Sequence, residues 1–229
     1  MPSANWLSEL PADRLIAEYS MWSADLIRIG DDLARIEGHA DVLHIDVADG
    51  HFAPALLFFP DLVARMRAAT ATPIHVHLMV ADAVLVEQVA QFADAGADLI
   101  SIHAENSAVA DEALALIGAR KLAAGMVLRV ETAVASCKSY IDRVDFLTLL
   151  GTAIGVKGQG LDPAATDRLR EAAGLIETTG RRIVLAADGG IREHTVPLLR
   201  KAGAETVVLG SLAFGADDLS ARMRWLHAL

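Results

Sequence analysis

Apolar residues along the chain follow two alternating spacings, one typical of amphipathic helices and one typical of buried strands. The first helical spacing follows two capping candidates, Ser23 and Asp25, and stops at Gly38. Its predicted buried positions are Leu26, Ile29, Leu33 and Ile36. A second helix is predicted to begin at Asp82. Its predicted buried positions are Leu85, Val89 and Phe92. These two segments predict helices that each cover one side of a core.

Short apolar runs separate the helical segments. A third helix, predicted from Asp162 as N-cap with Pro163 in the first turn, lies between two of these runs. Several runs are continuous and rich in β-branched residues, which is typical of parallel strands buried on both faces. Along the chain the eight predicted strands are AEYSMW, VLHIDVA, PIHVHLMV, ADLISIH, GMVLRV, DFLTLLG, RIVLAAD and TVVLG.

The glycines that follow the helices indicate a period. Gly38 and Gly96 lie 58 residues apart, and Gly96 and Gly125 lie 29 apart, so the first interval is two copies of the second. One eighth of the 229 residues is also about 29, the size of one strand-helix unit in an eightfold barrel. We therefore predict an α/β fold, a single-domain (β/α)8 TIM barrel over residues 1–229, with residues 1–15 as an N-terminal extension. A doubly wound open sheet is the alternative.

Polar side chains occur late in three of the apolar strands, where a barrel carries its chemistry. His44 and Asp46 share one face of a strand because they are two residues apart. His77 and Asp188 end two other strands. Two imidazoles and two carboxylates form a donor set for Zn, Mn or Fe. Taken singly, each has a plainer interpretation, since a strand histidine is more often a core residue and an Asp before Gly-Gly often belongs to a turn.

Three further histidines lie near these positions. His75 shares a face with His77 but lies one layer deeper, and we interpret it as interior packing or as a support for the metal ligands. His51 and His103 are interpreted as loop or strand-end residues without a chemical role.

Trp22 is interpreted as barrel lining, with a substrate wall as the alternative.

Glycines follow the last three predicted strands. The segment GTAIGVKGQG follows the sixth, Gly189 and Gly190 the seventh, and Gly210 and Ser211 the eighth. Barrel enzymes often hold phosphate with backbone N–H groups of such loops, and Lys157 adds a positive charge there. Simple flexibility is the alternative interpretation of the glycine-rich loop.

Composition and net charge limit the kinds of binding partner that we expect for this protein. The chain is 53% hydrophobic and has a formal net charge of −10, which argues against nucleic acid or an anionic membrane as a partner. Glycine loops can still hold a small phosphate through backbone dipoles. A single cysteine, Cys137, fits a reducing compartment. No secretory leader or membrane-spanning run is visible, so we expect a cytoplasmic protein.

From Tyr19 to about Gly215 the chain resembles the ribulose-phosphate 3-epimerase family. The segments that carry the resemblance are YSMWSADLIRIG, VLHIDVADGHFAP, IHVHLMV, the Gly and Gln of VKGQG, AADGGI and LGSLAFG. The resemblance implies the same barrel, an isomerase activity, and one divalent metal ion of Zn, Mn, Fe or Co held by His44, Asp46, His77 and Asp188. It also implies that Asp46 and Asp188 are the acid/base pair. The implied substrate-binding residues are Ser20, Met79, Gly155, Val156, Lys157, Gly158, Gly189, Gly190, Gly210 and Ser211.

The reaction that the resemblance implies is epimerisation at C3 of a ketose phosphate, D-ribulose 5-phosphate to D-xylulose 5-phosphate or a related sugar phosphate. A proton leaves one face of the carbon and another returns to the opposite face through an enediolate, which needs two acid/base groups. This chain departs from the family at Ala48, where a methionine is usual, and at Ala153, Ile154 and Lys157, which replace an Asn-Pro pair and a glycine. Because of these departures, the resemblance indicates the type of reaction more firmly than the identity of the substrate.

Three alternatives stay open. A paralogue acting on a tetrulose or hexulose phosphate would keep the metal ligands and change the substrate wall. A related decarboxylase or aldolase would need an Asp-x-Lys-x-x-Asp strand, whereas this chain has His44, Asp46 and Asp49 and no lysine there. A non-catalytic phosphosugar-binding barrel has no need of two opposed carboxylates. A homo-oligomer is expected by analogy with metal epimerases of this kind.

Overall fold

The computed structural model describes all 229 residues and contains a closed barrel of eight parallel strands. Strand β1 pairs in parallel with both β9 and β2, which closes the ring and excludes the open doubly wound sheet. The predicted (β/α)8 TIM barrel is therefore confirmed. In chain order the strands are β1 Ile16–Ser20, β2 Val42–Asp49, β3 Leu56–Leu57, β4 Ile74–Met79, β5 Leu99–His103, β6 Ala123–Leu128, β7 Phe146–Leu150, β8 Val184–Asp188 and β9 Thr206–Leu209.

All eight predicted strands are present, and β3 is a two-residue antiparallel addition to the carboxyl end of β2. The helices are α1 Trp6–Glu9, α2 Ile29–Ile36, α3 Pro60–Ala69, α4 Asp82–Asp94, α5 Ala110–Ala119, α6 Ala165–Glu177, α7 Val196–Lys201, α8 Ser211–Phe214 and α9 Leu219–His227. Short 3-10 turns at Met21–Ser23, Val134–Cys137 and Ile141–Arg143 complete the elements. No helix is both long and apolar enough to cross a membrane.

Two predicted helix starts are wrong. Helix α2 begins at Ile29 rather than after Asp25, because the Asp25 carboxylate accepts the backbone N–H of Ile27 and forms a turn that leaves Leu26 exposed. Helix α6 begins at Ala165, because the Asp162 carboxylate accepts the N–H of Ala164 in a preceding turn. In both places a side-chain hydrogen bond starts a turn before the helix. The prediction for α4 is correct, and its three apolar positions are fully buried.

Residues 1–15 precede the first strand. Trp6 and Leu7 of this segment, together with the buried Leu10, pack on a small apolar cluster formed by residues near the amino ends of the strands. The buried strand members of this cluster are Ile16, Val42, Leu99, Phe146 and Val184. The segment therefore covers the amino-terminal end of the barrel, opposite the end where the strands carry their late polar residues.

The main core is a cluster of 51 buried residues between the strands and the outer helices. Inside the barrel, several strands instead contribute buried polar side chains. These are Glu18 on β1, His44 on β2, His75 on β4, Ser101 on β5 and Thr148 on β7. Since buried polar groups are costly unless paired, this interior layer is a feature that packing alone does not explain.

Candidate active site

A cavity of about 390 Å³ opens at the carboxyl ends of the barrel strands. It contains Asp46, His77 and Asp188 on one side and the glycine-bearing segments after β7, β8 and β9 on the other. This is the end of a TIM barrel where active sites lie, and a concave pocket with a few convergent polar groups is the expected form of a small-molecule site.

The four predicted metal ligands converge at the floor of this cavity. Their candidate donor atoms all lie within 4.8 Å of one another. His44 Nε2 lies 3.1 Å from Asp46 Oδ1 and 4.0 Å from Asp188 Oδ2. His77 Nδ1 lies 3.4 Å and 3.9 Å from the same two oxygens. The parallel register explains the convergence, since Asp46 on β2 pairs directly with His77 on β4.

The hydrogen bonds around His77 determine which of its nitrogens faces the cluster. His103 lies on β5 and hydrogen-bonds through Nδ1 to Glu105 Oε2 at 2.9 Å. Burial lowers the pKa of His103 to about 4, so its ring is neutral and donates only from Nδ1. His103 Nε2 therefore accepts from His77 Nε2, 2.8 Å away. His77 Nδ1 is left with a lone pair directed at the two aspartates, and it is buried without a hydrogen-bond partner.

This donor set fits a divalent metal ion. The buried lone pair of His77 Nδ1 faces carboxylate oxygens 3.4 Å and 3.9 Å away without a proton between them, and a cation removes the resulting repulsion. Two imidazoles with two carboxylates suit Zn and other first-row transition metals better than Mg or Ca. The unpartnered His77 Nδ1 is the observation that favours a metal over a plain hydrogen-bond network.

The two aspartates of the cluster have opposite pKa shifts. Burial opposes ionisation of Asp46, but the adjacent His44 holds the pKa of this carboxyl well below its usual range. Burial raises the pKa of Asp188 to about 6, with the nearby Asp46 contributing in the same direction while His44 and His77 oppose it. Ser20 additionally donates a 2.8 Å hydrogen bond to Asp46 Oδ2. A carboxylate of low pKa beside one whose pKa is raised toward neutrality is suited to acid/base chemistry.

All ten predicted substrate-binding residues line the cavity or its rim. Gly155, Gly158, Gly189 and Gly190 have φ angles between +70° and +86°, which favour glycine over other residues. A Cβ on Gly190 would lie 2.8 Å from Leu161 Cα, so this position also requires a residue without a side chain. The glycine segments therefore bring backbone close to the cavity, as phosphate binding needs.

Lys157 lines the cavity and contacts Trp22 across its mouth. Its ammonium group donates a 2.6 Å hydrogen bond to the carbonyl oxygen of Trp22 and lies 4.6 Å from the centre of the Trp22 ring. Burial lowers its pKa, while Asp46 acts in the opposite direction. Trp22 follows β1 in a 3-10 turn and lines the cavity, which favours the substrate-wall alternative over the interpretation as barrel lining.

Ala48 does not line the cavity, although the family usually carries a methionine there. Ala48 packs in a buried group with Ala53 and Met79, covered by Phe52 and Ile154. Of this group, only Met79 and Ile154 reach the cavity wall. The departure at Ala48 therefore changes the packing behind the wall, and Ile154 forms part of the wall itself.

Sequence reasoning missed four polar residues around the site. Glu18 contacts His44, Glu105 and His103 support His77, and Arg192 lines the cavity. The signal for His103 and Glu105 was present, since they repeat the two-residue spacing of His44 and Asp46 at a strand end. Arg192 directly follows the DGGI segment.

Comparisons with known proteins identify relatives of this chain. A sequence model of the Ribulose-phosphate 3 epimerase family matches residues 16–214. Ribulose-phosphate 3-epimerase 1 of Cupriavidus necator is 36% identical over 206 residues, covering 87% of this chain and 84% of that protein. Ribulose-phosphate 3-epimerase of Bacillus subtilis is 33% identical over 201 residues, covering 87% and 92%. That of Escherichia coli K12 is 36% identical over 201 residues, covering 87% and 88%.

Solved structures of lower identity share the fold. A 3-keto-L-gulonate-6-phosphate decarboxylase from Vibrio cholerae superposes with a TM-score of 0.71 at 14% identity, covering 92% of this chain and 96% of that one. A 3-hexulose-6-phosphate synthase gives 0.64 at 17% identity, covering 93% and 99%. These likenesses concern the barrel alone. The family model and the three sequence relatives go further, and the chain belongs to the ribulose-phosphate 3-epimerase family.

Proposed function

We propose that this protein is a metal-dependent ribulose-phosphate 3-epimerase that interconverts D-ribulose 5-phosphate and D-xylulose 5-phosphate. The observation that carries the proposal is the placement of Asp46 and Asp188 on strands β2 and β8, beside two histidines on the floor of one cavity. The names of the curated relatives support the same reaction. A barrel that only binds a phosphosugar would not need two adjacent carboxylates whose pKa values are shifted in opposite directions.

The proposed reaction uses the two aspartates from opposite faces of the substrate. One carboxylate removes the C3 proton, and the other, as a carboxylic acid, returns a proton to the opposite face of the same carbon. In this direction we assign the carboxylic acid to Asp188 and the ionised carboxylate to Asp46. In the reverse direction the two residues exchange roles. The Ser20 hydroxyl orients Asp46 through its hydrogen bond to Oδ2.

We propose that His44, Asp46, His77 and Asp188 hold one divalent ion of Zn, Mn, Fe or Co. When bound, such an ion supplies a Lewis acid that polarises the ketone and lowers the energy of the developing negative charge. The histidines hold this position because each is fixed by a hydrogen bond on its other nitrogen.

We also propose a cytoplasmic location, which the single, buried and unpaired Cys137 supports. A homo-oligomeric state stays a prediction.

We assign the phosphate group of the substrate to the part of the cavity that is lined by the glycine-bearing segments after β7, β8 and β9. Gly158, Gly189, Gly190 and Gly210 expose backbone there, and Arg192 and Lys157 line the same cavity. The backbone dipoles and these two cations can hold a dianion in a chain whose net charge is −10. The ketone end of the substrate then lies toward His77, Asp46 and Asp188.

The proposed function is tested by incubating the purified protein with ketose phosphates of four to six carbons in D₂O. We expect D-xylulose 5-phosphate to form from D-ribulose 5-phosphate with deuterium at C3, measured by NMR. We expect the pentulose phosphate to be preferred by about tenfold or more in kcat/KM, because one carbon unit changes transition-state binding by about 1–3 kcal/mol. A stronger preference for a tetrulose or hexulose phosphate would favour the paralogue, and absence of exchange with all of them would favour a binding protein.

The Lys157→Met substitution tests the contact across the mouth. We expect KM for D-ribulose 5-phosphate to rise by about three- to tenfold with little change in kcat, because the hydrogen bond and cation–π contact with Trp22 are together worth about 1 kcal/mol. Steady-state kinetics provide the measurement. Lys138→Met, which removes the same charge from an exposed position outside the cavity, is the matched control. An unchanged KM in the Lys157 variant contradicts this role.

A further inference from the structure

A buried polar network lies directly beneath the candidate metal ligands. Glu18 on β1 is fully buried, and one of its oxygens, Oε1, contacts the Nδ1 atoms of both His44 and His75. The distance from Glu18 Oε1 to His44 Nδ1 is 2.7 Å. His75 Nε2 in turn lies 2.6 Å from the hydroxyl oxygen of Ser101. Neither Glu18 nor its contacts with these histidines is used by the proposed acid/base chemistry.

Hydrogen-bond roles in this network follow from its chemistry. An ionised carboxylate only accepts, so both histidines donate from Nδ1 to Glu18. His75 Nε2 can then accept the hydroxyl hydrogen of Ser101. His44 differs, because its Nε2 faces Asp46 and Asp188 at the cavity floor.

The packing around Ser101 shows that the network is held in place. A Cβ on Gly125, on the neighbouring strand β6, would lie 1.9 Å from Ser101 Oγ, so the absence of a side chain there makes room for the hydroxyl. Ser101 itself is fully buried. Ser101 therefore fixes His75, and His75 in turn contacts the same oxygen of Glu18 as His44 does.

We propose that Glu18 is a positioning residue for His44, and that it fixes the ring so that Nε2 is the nitrogen presented to a metal ion. The proposal rests on the proposed metal site. A carboxylate that accepts from the second nitrogen of a ligating histidine sets both its tautomer and its orientation. His77 receives the equivalent support indirectly, through His103 and Glu105, whereas His44 receives it directly from Glu18.

The energetics favour a functional reason for Glu18. Its second oxygen, Oε2, is buried without any hydrogen-bond partner. An ionised group with one unsatisfied oxygen in a barrel interior is costly, and an apolar residue of similar volume would remove that cost. Retaining the carboxylate is consistent with a task that packing cannot perform, namely the orientation of a ligand.

The test compares Zn²⁺ affinity of the metal-free wild type, Glu18→Gln and Glu18→Leu, measured by competition with a chromophoric chelator. We expect the dissociation constant to rise by about 10- to 100-fold in Glu18→Gln and by at least as much in Glu18→Leu. Thr148→Val is the matched control, since Thr148 is also a buried polar residue of the barrel interior and its hydroxyl has no hydrogen-bond partner. We expect this control to bind Zn²⁺ as the wild type does. Thermal unfolding establishes that each variant is folded.

A second measurement does not depend on any Glu18 variant folding. In the Zn²⁺-loaded wild type with ¹⁵N-labelled histidine, long-range ¹H–¹⁵N spectra should show His44 carrying its proton on Nδ1 and the metal on Nε2. The opposite arrangement overturns the proposal, as does unchanged Zn²⁺ affinity in folded Glu18→Gln and Glu18→Leu. If the wild type itself binds no Zn²⁺, Mn²⁺, Fe²⁺ or Co²⁺, the metal site of the proposed function fails, and the role of Glu18 fails with it. Intact metal binding with unaffected variants overturns the role of Glu18 alone.

Discussion

Asp46→Asn and Asp188→Asn should each lose net epimerisation of D-ribulose 5-phosphate by about 10²- to 10⁴-fold, the range that one general acid/base group contributes. An asparagine keeps the size of the side chain and one oxygen for the metal, but it neither removes nor returns a proton. Because the two residues serve opposite faces of C3, loss of either interrupts both directions of the reaction. The coupled rate of D-xylulose 5-phosphate formation provides the measurement.

Isotope exchange separates the two roles. Each variant keeps the group that serves one face, so we expect each to exchange the C3 hydrogen of only one epimer with D₂O. The exchanging epimer should differ between the Asp46 and the Asp188 variants. Metal content must be measured in both, because both residues are also proposed ligands. Net epimerisation within tenfold of the wild type in either metal-loaded variant contradicts the two-carboxylate mechanism.

Asp49→Asn is the control for Asp46→Asn, because both residues lie on strand β2. The Asp49 carboxylate accepts backbone N–H groups of His51, Phe52 and Ala81, and these hydrogen bonds lower its pKa against the effect of burial. The substitution places an amide donor against a backbone donor, which costs about 1–3 kcal/mol of stability. We expect a lower Tm with kcat within tenfold of the wild type, because Asp49 is not among the ligands or the cavity lining.

The barrel and the convergence of His44, Asp46, His77 and Asp188 could be predicted from sequence for a local reason. Buried parallel strands are continuous apolar runs, so a polar residue inside one stands out, and residues two apart share a face. His44 and Asp46 are such a pair, and parallel pairing then places His77 beside Asp46. Since all eight strands end at the same side of the barrel, Asp188 joins the group without any long-range information beyond the fold.

What could not be predicted depends either on competing local hydrogen bonds or on contacts between distant segments. The turn that delays α2 to Ile29 uses a single Asp25 hydrogen bond, which competes with an equally plausible helix cap. The position of Lys157 over Trp22 joins residues 135 apart in sequence, and no local pattern encodes it. Glu18 was visible as a lone carboxylate inside an apolar strand, but its partners His44 and His75 lie on other strands.

Removing bound metal should abolish activity and lower stability together. The four proposed ligands present two imidazole nitrogens and two carboxylates within 4.8 Å, an arrangement that a divalent ion would stabilise. A ligand at 100 times its dissociation constant adds about 2.7 kcal/mol to the free energy of unfolding. For a chain of this length that corresponds to a Tm about 5–11 °C higher in the loaded protein.

The experiment is dialysis against a chelator, followed by elemental analysis, calorimetry and assay, and then by titration with single metal ions. We expect Zn²⁺, Mn²⁺, Fe²⁺ or Co²⁺ to restore both activity and Tm at one ion per chain. Mg²⁺ and Ca²⁺ should restore neither, since these ions prefer oxygen ligands and the site offers two imidazoles. His77→Gln is the matched variant, because it removes one ligand while leaving a side chain that can still pair with His103. Full activity in protein shown to be free of metal would refute the site, whereas restoration by Mg²⁺ alone would indicate that the two histidines are not ligands.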